Sequence, residues 1–231
     1  MKERAPMTHV KAPTTQEVVL RHLRADILTG VLPPGQQIIQ ESLASRYGVS
    51  RAPLREAMRV LEGEGQIIHL PHRGYFVAEL DLVNMREVYR LREILESEAI
   101  RAAIPNLTDA DIQAIAAMAD EVGSAAASGE LLAIALANRR FHFMIFEASQ
   151  MPRLIRILTQ LWDATDVYRS VYFSAHGSLQ IIAHEHAGIL DALRARDVPQ
   201  AIGWQDTHRD HALISIAHQL DTLRRPVVTD R

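Results

Sequence analysis

A chain of 231 residues with 48% hydrophobic composition is long enough for one large or two modest domains, each with its own core. It has no cysteine, which excludes disulfides and thiolate metal sites; no apolar run approaches a membrane span and no signal-peptide pattern opens the chain, so a cytoplasmic protein without a membrane partner is expected. The net charge of −3 argues at first against nucleic acid, but residues 1–80 hold ten Lys/Arg against eight Asp/Glu and the remainder fifteen against twenty, so the basic surplus lies at the N-terminal end.

Residues 1–13, with Lys2, Arg4, Lys11 and two prolines, read as a flexible arm. From Thr14 to Leu28, apolar residues at Val18, Val19, Leu23, Ile27 and Leu28 mark a packing helix, ended by Gly30-Val31-Leu32-Pro33-Pro34-Gly35. Leu43, Ala44 and Tyr47 then form the buried side of a short helix, and Gly48 supplies a C-terminal residue that accepts a left-handed backbone. Ser50 is placed to cap a further helix through its hydroxyl. Pro53 falls in the first turn, where its missing N–H costs nothing, and Val49 can staple onto Leu54. Within that helix Leu54, Ala57, Met58 and Leu61 recur at i, i+3, i+4 and i+7, which leaves Arg51, Arg55 and Arg59 on another face. Two helices joined by a tight turn, the second opening on arginines, suit the major groove of DNA, because guanidinium forks match guanine and phosphate oxygens. The plain alternative is a solvated basic face. The next stretch of chain favours DNA: Gly65 to Leu70 and Tyr75-Phe76-Val77 are β-prone runs around Pro71-His72-Arg73-Gly74, the composition of a hairpin wing with a basic tip.

Leu32-Pro33-Pro34-Gly35, Leu43-Ala44, the run from Gly48 to Ala57, Leu61-Glu62, Gly65 and Arg73-Gly74 together resemble the winged helix-turn-helix of GntR-family bacterial transcription regulators, over residues 14–79. The resemblance implies that Ser50, Arg51 and Arg55 contact a short palindromic operator in double-stranded DNA, with Arg73 and Gly74 contributing from the wing. One subgroup carries arginine just before the Ser42-Leu43 pair. Glu41 stands there in this chain, so no base contact is carried over to it.

From Asp81 onward glycine and proline become sparse, and amphipathic segments succeed one another near 82–104, 109–128, 130–149, 152–173, 178–196 and 198–222. The fold class expected is mainly α: a winged helix-turn-helix of three helices and a small β-hairpin, then an all-α bundle of about six helices over residues 80–223, with a tail at 224–231. In the bundle Asn138 and His142 stand at i and i+4, while His186 and His208 belong to two later helices, so three helices can bring imidazoles to one interior point. Neutral imidazole binds zinc, nickel, copper and iron, and three histidines with one oxygen ligand leave coordination positions open. Six of the eleven histidines lie between His176 and His218, and His176, His184, His211 and His218 are assigned to polar surface.

The four-residue set is singled out by a second resemblance. Arg92-Glu93-Ile94-Leu95-Glu96, Asn138-Arg139-Arg140-Phe141-His142, Glu185 through Leu190, and Ala201 followed by His208 are similar to the ligand-sensing FCD domain of the FadR-type branch. The intervals of 44 residues from His142 to His186 and 22 from His186 to His208 match its metal-binding members. That resemblance implies a divalent metal on Asn138, His142, His186 and His208, with zinc the first choice and nickel or another transition metal the alternatives. The branch usually has aspartate where Asn138 stands, so one anionic ligand is missing and metal affinity should be lower.

These residues together lead to the expectation of a DNA-binding homodimeric regulator, a repressor, whose operator affinity is set by a small carboxylate effector at the metal-histidine site. Arg92 is a candidate effector contact, and Trp162, Tyr168 and Tyr172 candidate cavity walls. A blander version has the histidines bind the effector, or only a buried water, without metal. The rival from another class is a metal-dependent hydrolase or lyase. The sequence offers that rival no His-Glu-x-x-His pair, and Glu185, adjacent to His186, is expected to point away from the site.

Overall fold

A computed structural model describes residues 12–173 and 178–224. The expected arm (1–13), tail (224–231) and His176 lie wholly or almost wholly outside that range. Thr14 opens α1 (Thr15–Leu28) with a reciprocal capping box to Glu17, and Val19, Leu23, Ile27 and Leu28 bury one side. A two-residue strand β1 (Gln37–Ile38) precedes α2 (Gln40–Tyr47), which ends on Gly48 at φ 66°. The turn is then locked by the Val49 N–H donating to the Ala44 carbonyl at 3.0 Å. The next helix, α3 (Arg51–Gly63), buries Leu54, Ala57, Met58 and Leu61, the spacing read from the sequence. Ser50 occupies the N-cap with extended backbone but makes no side-chain cap hydrogen bond, so the hydroxyl cap expected of it is absent.

The wing is an antiparallel pair, β2 (Ile67–Leu70) and β3 (Gly74–Val77), closing at Leu70 opposite Gly74. It is one strand larger than a hairpin: β1 pairs with the outer side of β3, giving the order β1-β3-β2. Two residues are too few for period-two alternation to register in a sequence.

The bundle consists of α4 (Leu82–Ala103), α5 (Asp109–Ser128), α6 (Leu131–Glu147), α7 (Pro152–Ala164), α8 (Asp166–Phe173), α9 (Ser178–Arg194) and α10 (Val198–Arg224). The segment expected as one helix over 152–173 is two. Thr165 breaks it: its N–H and hydroxyl both return to the Trp162 carbonyl, at 3.1 and 2.8 Å. One apolar cluster runs from Val19, Leu23, Leu54 and Leu61 through Met85 and Tyr89 to Val167, Ile182 and Ile216, so the N-terminal unit and one end of the bundle share a core. A second cluster around Phe141, Ile145, Phe146, Leu158, Trp162 and Ile189 fills the other end.

Candidate functional site

Two regions hold the residues singled out by sequence. On α3, Arg51, Arg55 and Arg59 are all exposed, as is Ser50 at the helix start, and Arg73 is exposed at the tip of the wing. The wing tip is shaped by His72 at φ 61° and Gly74 at φ 92°, and Gln37 Nε2 donates to the Arg73 carbonyl at 2.8 Å. The Arg73 guanidinium lies over the Phe76 ring, 5.4 Å from its centroid. Arg51 is not unengaged: it pairs with Glu41 at 2.6 Å across the turn, so the acidic residue that departs from the subgroup pattern masks the first arginine of α3.

The second region is buried. His142 on α6, His186 on α9 and His208 on α10 form a near-equilateral triangle, with ring centroids 5.1, 4.8 and 5.0 Å apart. One nitrogen from each falls within 4.8 Å of the other two. Phe141 stacks on His186 at 4.0 Å and Trp162 tilts against His142 at 5.2 Å, which fixes both rings. Asn138, one turn before His142, is buried on the same helix. Neither ring nitrogen of His142 or His186, nor Asn138 Oδ1, has a hydrogen-bond partner. A buried polar atom left unpaired costs about 1–3 kcal/mol, so these atoms call for a bound partner, a metal ion or an ordered water. Burial, reinforced by the charge of His208, holds the His142 and His186 imidazoles well below their ordinary pKa. They are therefore neutral at pH 7 and present lone pairs, the form a metal ion requires. Three imidazoles fit a divalent transition metal with open positions.

Around this triangle lies a charged shell that the sequence only partly disclosed. Glu185 does not point away. It is buried, accepts from His208 Nδ1 at 2.6 Å, and also bonds His211 Nδ1. His211, assigned to the surface, is thus half-exposed but tied to the site, whereas His184 and His218 remain exposed. With Nδ1 on the carboxylate, His208 turns Nε2 toward the triangle. Burial pushes the Glu185 carboxyl up, and the bonds from His208 and His211 outweigh it and bring it below its ordinary value.

Arg92, expected to meet an effector, is engaged with Glu96 at 2.8 Å, the i+4 partner. Glu96 also accepts from Trp162 Nε1, Gln205 and Arg209. The guanidinium that sequence reasoning missed is Arg169. It lies over Trp162 at 4.4 Å, opposed by Asp166 at 3.6 Å, with Nη2 buried and unpartnered. Burial lowers its pKa to about 10, so it stays charged. Its only advance sign was an arginine inside the apolar run from Val167 to Phe173. Tyr168 lines no cavity at the histidines: its hydroxyl is bound to the Asp81 N–H and carbonyl at 3.1 and 3.0 Å.

Comparison with known proteins matches the profile of the bacterial regulatory proteins of the gntR family to residues 15–77 and that of the FCD domain to residues 87–210. The chain is 28% identical over 193 residues to the HTH-type transcriptional regulator McbR of Escherichia coli K12, covering 83% of this chain and 86% of that protein. It is 26% identical over 200 residues to the regulator YdhC of Bacillus subtilis, covering 86% and 89%. Among solved structures, that of E. coli McbR/YncC superposes with a TM-score of 0.81 at 24% identity, over 90% of this chain and 100% of that one. A GntR regulator from Rhodococcus sp. RHA1 gives 0.74 at 22%, over 88% and 97%.

Proposed function

Since the chain belongs to the GntR family of bacterial regulatory proteins and carries an FCD domain behind its helix-turn-helix, we propose that it is a metabolite-responsive repressor working as a homodimer on a palindromic operator. It is a DNA-binding transcriptional regulator, not an enzyme. Among the described residues no helix is long and apolar enough to cross a membrane.

Ser50 at the N-cap and Arg51 and Arg55 on α3 read the major groove in this proposal, and Arg73 with Gly74 adds a contact from the wing. His142, His186, His208 and Asn138 hold a divalent metal, zinc first, which supplies a Lewis-acidic anchor for an anionic effector. The observation that carries this reading is the triangle of neutral imidazoles with unpaired nitrogens. Arg169, with its unpartnered Nη2, replaces Arg92 as the candidate for receiving the effector carboxylate. Arg92 is left to hold Trp162 and Glu96 in place. For the dimer, two-fold protein symmetry mirrors the palindrome.

Elemental analysis of the purified protein, combined with a thermal-shift screen of carboxylic acids and repeated on His142→Ala, tests the proposal. Near-stoichiometric metal and an acid-dependent rise in Tm, both lost in the variant, are expected. No metal and no shift in the parent protein would remove the sensor and leave the DNA-binding assignment standing.

A further inference from the structure

Two residues of the histidine site are each followed by a residue that faces the DNA-binding unit instead. After Asn138 comes Arg139 on α6, and after Trp162 comes Asp163 on α7. Arg139 Nη1 meets Asp163 Oδ1 at 2.7 Å. The other oxygen, Oδ2, accepts from Arg24 Nη2 of α1 at 3.0 Å. The same Arg24 nitrogen donates to Glu64 Oε1 at 2.5 Å, and Glu64 is the C-cap of α3. Asp163 is only 5% exposed and Glu64 12%, so the two carboxylates are shielded from water, while Arg24 and Arg139, at 29% and 24%, are half-buried. Tyr168, bound to the Asp81 backbone, fastens α8 to the interdomain junction a short distance away.

We propose that Arg139, Asp163, Arg24 and Glu64 form the mechanical link by which occupancy of the histidine triangle sets the attitude of α3. The inference rests on the reading of that triangle as a sensor site. Asp163 is shared by two guanidiniums, one from each domain, and each uses its own oxygen. Asn138 and His142, which would hold a cation, share a turn of α6 with Arg139, and Trp162, packed on His142, precedes Asp163, so a shift of either ligand would reach the Arg139–Asp163 pair. A largely buried ion pair resists separation because either partner left alone is an uncompensated charge. Displacement is therefore passed on to Arg24 and to the end of α3 through the shared carboxylate. Packed joints of this kind switch between discrete arrangements, so sub-ångström shifts at a ligand site suffice.

The test uses the full chain, loaded with Zn2+ or stripped of metal, and a duplex selected from a random library by the wild-type protein. The ratio of the two DNA dissociation constants is the readout, and in allosteric proteins it is about 5–150-fold. In Arg139→Gln and in Arg24→Gln this ratio is expected to fall to within about twofold of one, with Zn2+ affinity by chelator competition unchanged. Arg139→Lys should restore part of it, and Arg140→Gln, whose side chain reaches toward exposed Glu121, should leave it intact. Normal Zn2+ binding with a wild-type ratio in both glutamine variants would overturn the link and spare the sensor. Loss of Zn2+ binding in them would also overturn it, because those residues would then build the site rather than report on it. A wild-type ratio of one would overturn the link, because occupancy of the triangle would then leave α3 undisturbed, while the carboxylate-sensor reading stands or falls on the thermal-shift screen.

Discussion

Glu185→Gln is the sharpest probe of the histidine site, because it removes one charge and leaves every direct ligand in place. The carboxylate accepts from His208 Nδ1 at 2.6 Å through one oxygen and bonds His211 through the other. A glutamine of nearly the same shape keeps one acceptor and turns an N–H toward the second imidazole. One of two charge-assisted bonds, each worth about 1.5–3 kcal/mol, therefore becomes a donor–donor clash or a tautomer change. If the amide meets His208, the ring must offer a lone pair at Nδ1 and place its proton on Nε2, the nitrogen facing the triangle. Outer carboxylates of this kind change metal affinity about 10–100-fold, or about 1.4–2.7 kcal/mol. Titration of Zn2+ against a chromophoric chelator at pH 7.5 should show a loss of that size, with the unfolding transition still cooperative. His211→Ala, at the half-exposed end of the same carboxylate, should cost only a few-fold, since water can take its place. A Glu185→Gln protein that binds Zn2+ as tightly as the parent would deny the carboxylate any part in metal binding, and His208 would then be either held by packing alone or no ligand at all.

Arg55→Ala should cost about 1–3 kcal/mol on a selected operator and less on random duplex; equal losses on both would mean that the side chain touches phosphate only. Glu41→Gln releases Arg51 from its 2.6 Å pair. Affinity for any duplex should therefore rise several-fold at low salt, with the gain fading as salt is added, as fluorescence anisotropy can track. Glu96 contributes to acid stability in a defined direction. Burial pushes its carboxyl up, and Arg92 and Arg209 outweigh that and bring it below 4.5, so its contribution is present above the unfolded carboxylate value and lost as pH falls through the folded one. Tm should drop below about pH 4.5, and Glu96→Gln, which strands the buried Arg92 guanidinium and leaves Arg209 with Asp206 alone, should cost about 3–5 kcal/mol at neutral pH by denaturant unfolding while flattening the acid limb. Gly188 faces Trp204 where α9 meets α10, and a Cβ there would overlap the indole. Gly188→Ala should spread the two helices that carry His186 and His208 and weaken Zn2+ binding together with stability.

What the sequence disclosed was what local rules control. Gly48, Pro53 and the Leu54, Ala57, Met58, Leu61 spacing act within a turn or two of chain, and α2 and α3 form as their residues indicate. The three histidines converge because α6, α9 and α10 each bury the face that periodicity assigned to them. Glu185 was misread for an instructive reason. Adjacent helical residues point about 100° apart, so on a surface helix one of them faces water. Helix α9 is covered on two sides, His186 turning to Phe141 and His142 and Glu185 to α10, and the same 100° then sends both side chains inward to different partners. The break at Thr165, the third strand, Arg169 and the Arg24–Asp163 contact share a different cause. Each depends on a partner distant in the chain or on a hydroxyl that returns to a carbonyl three residues back, and neither Gly nor Pro marks the spot. Charges are the extreme case: Asp163, Glu96 and Arg169 look like ordinary surface residues of amphipathic helices until the fold buries each against an opposite charge. Buried ionic groups are costly to assemble and seldom the most stable solution. The pairs that Asp163 makes with Arg24 of α1 and Arg139 of α6 are therefore better explained by the geometry they impose on the domain joint than by any contribution to overall stability.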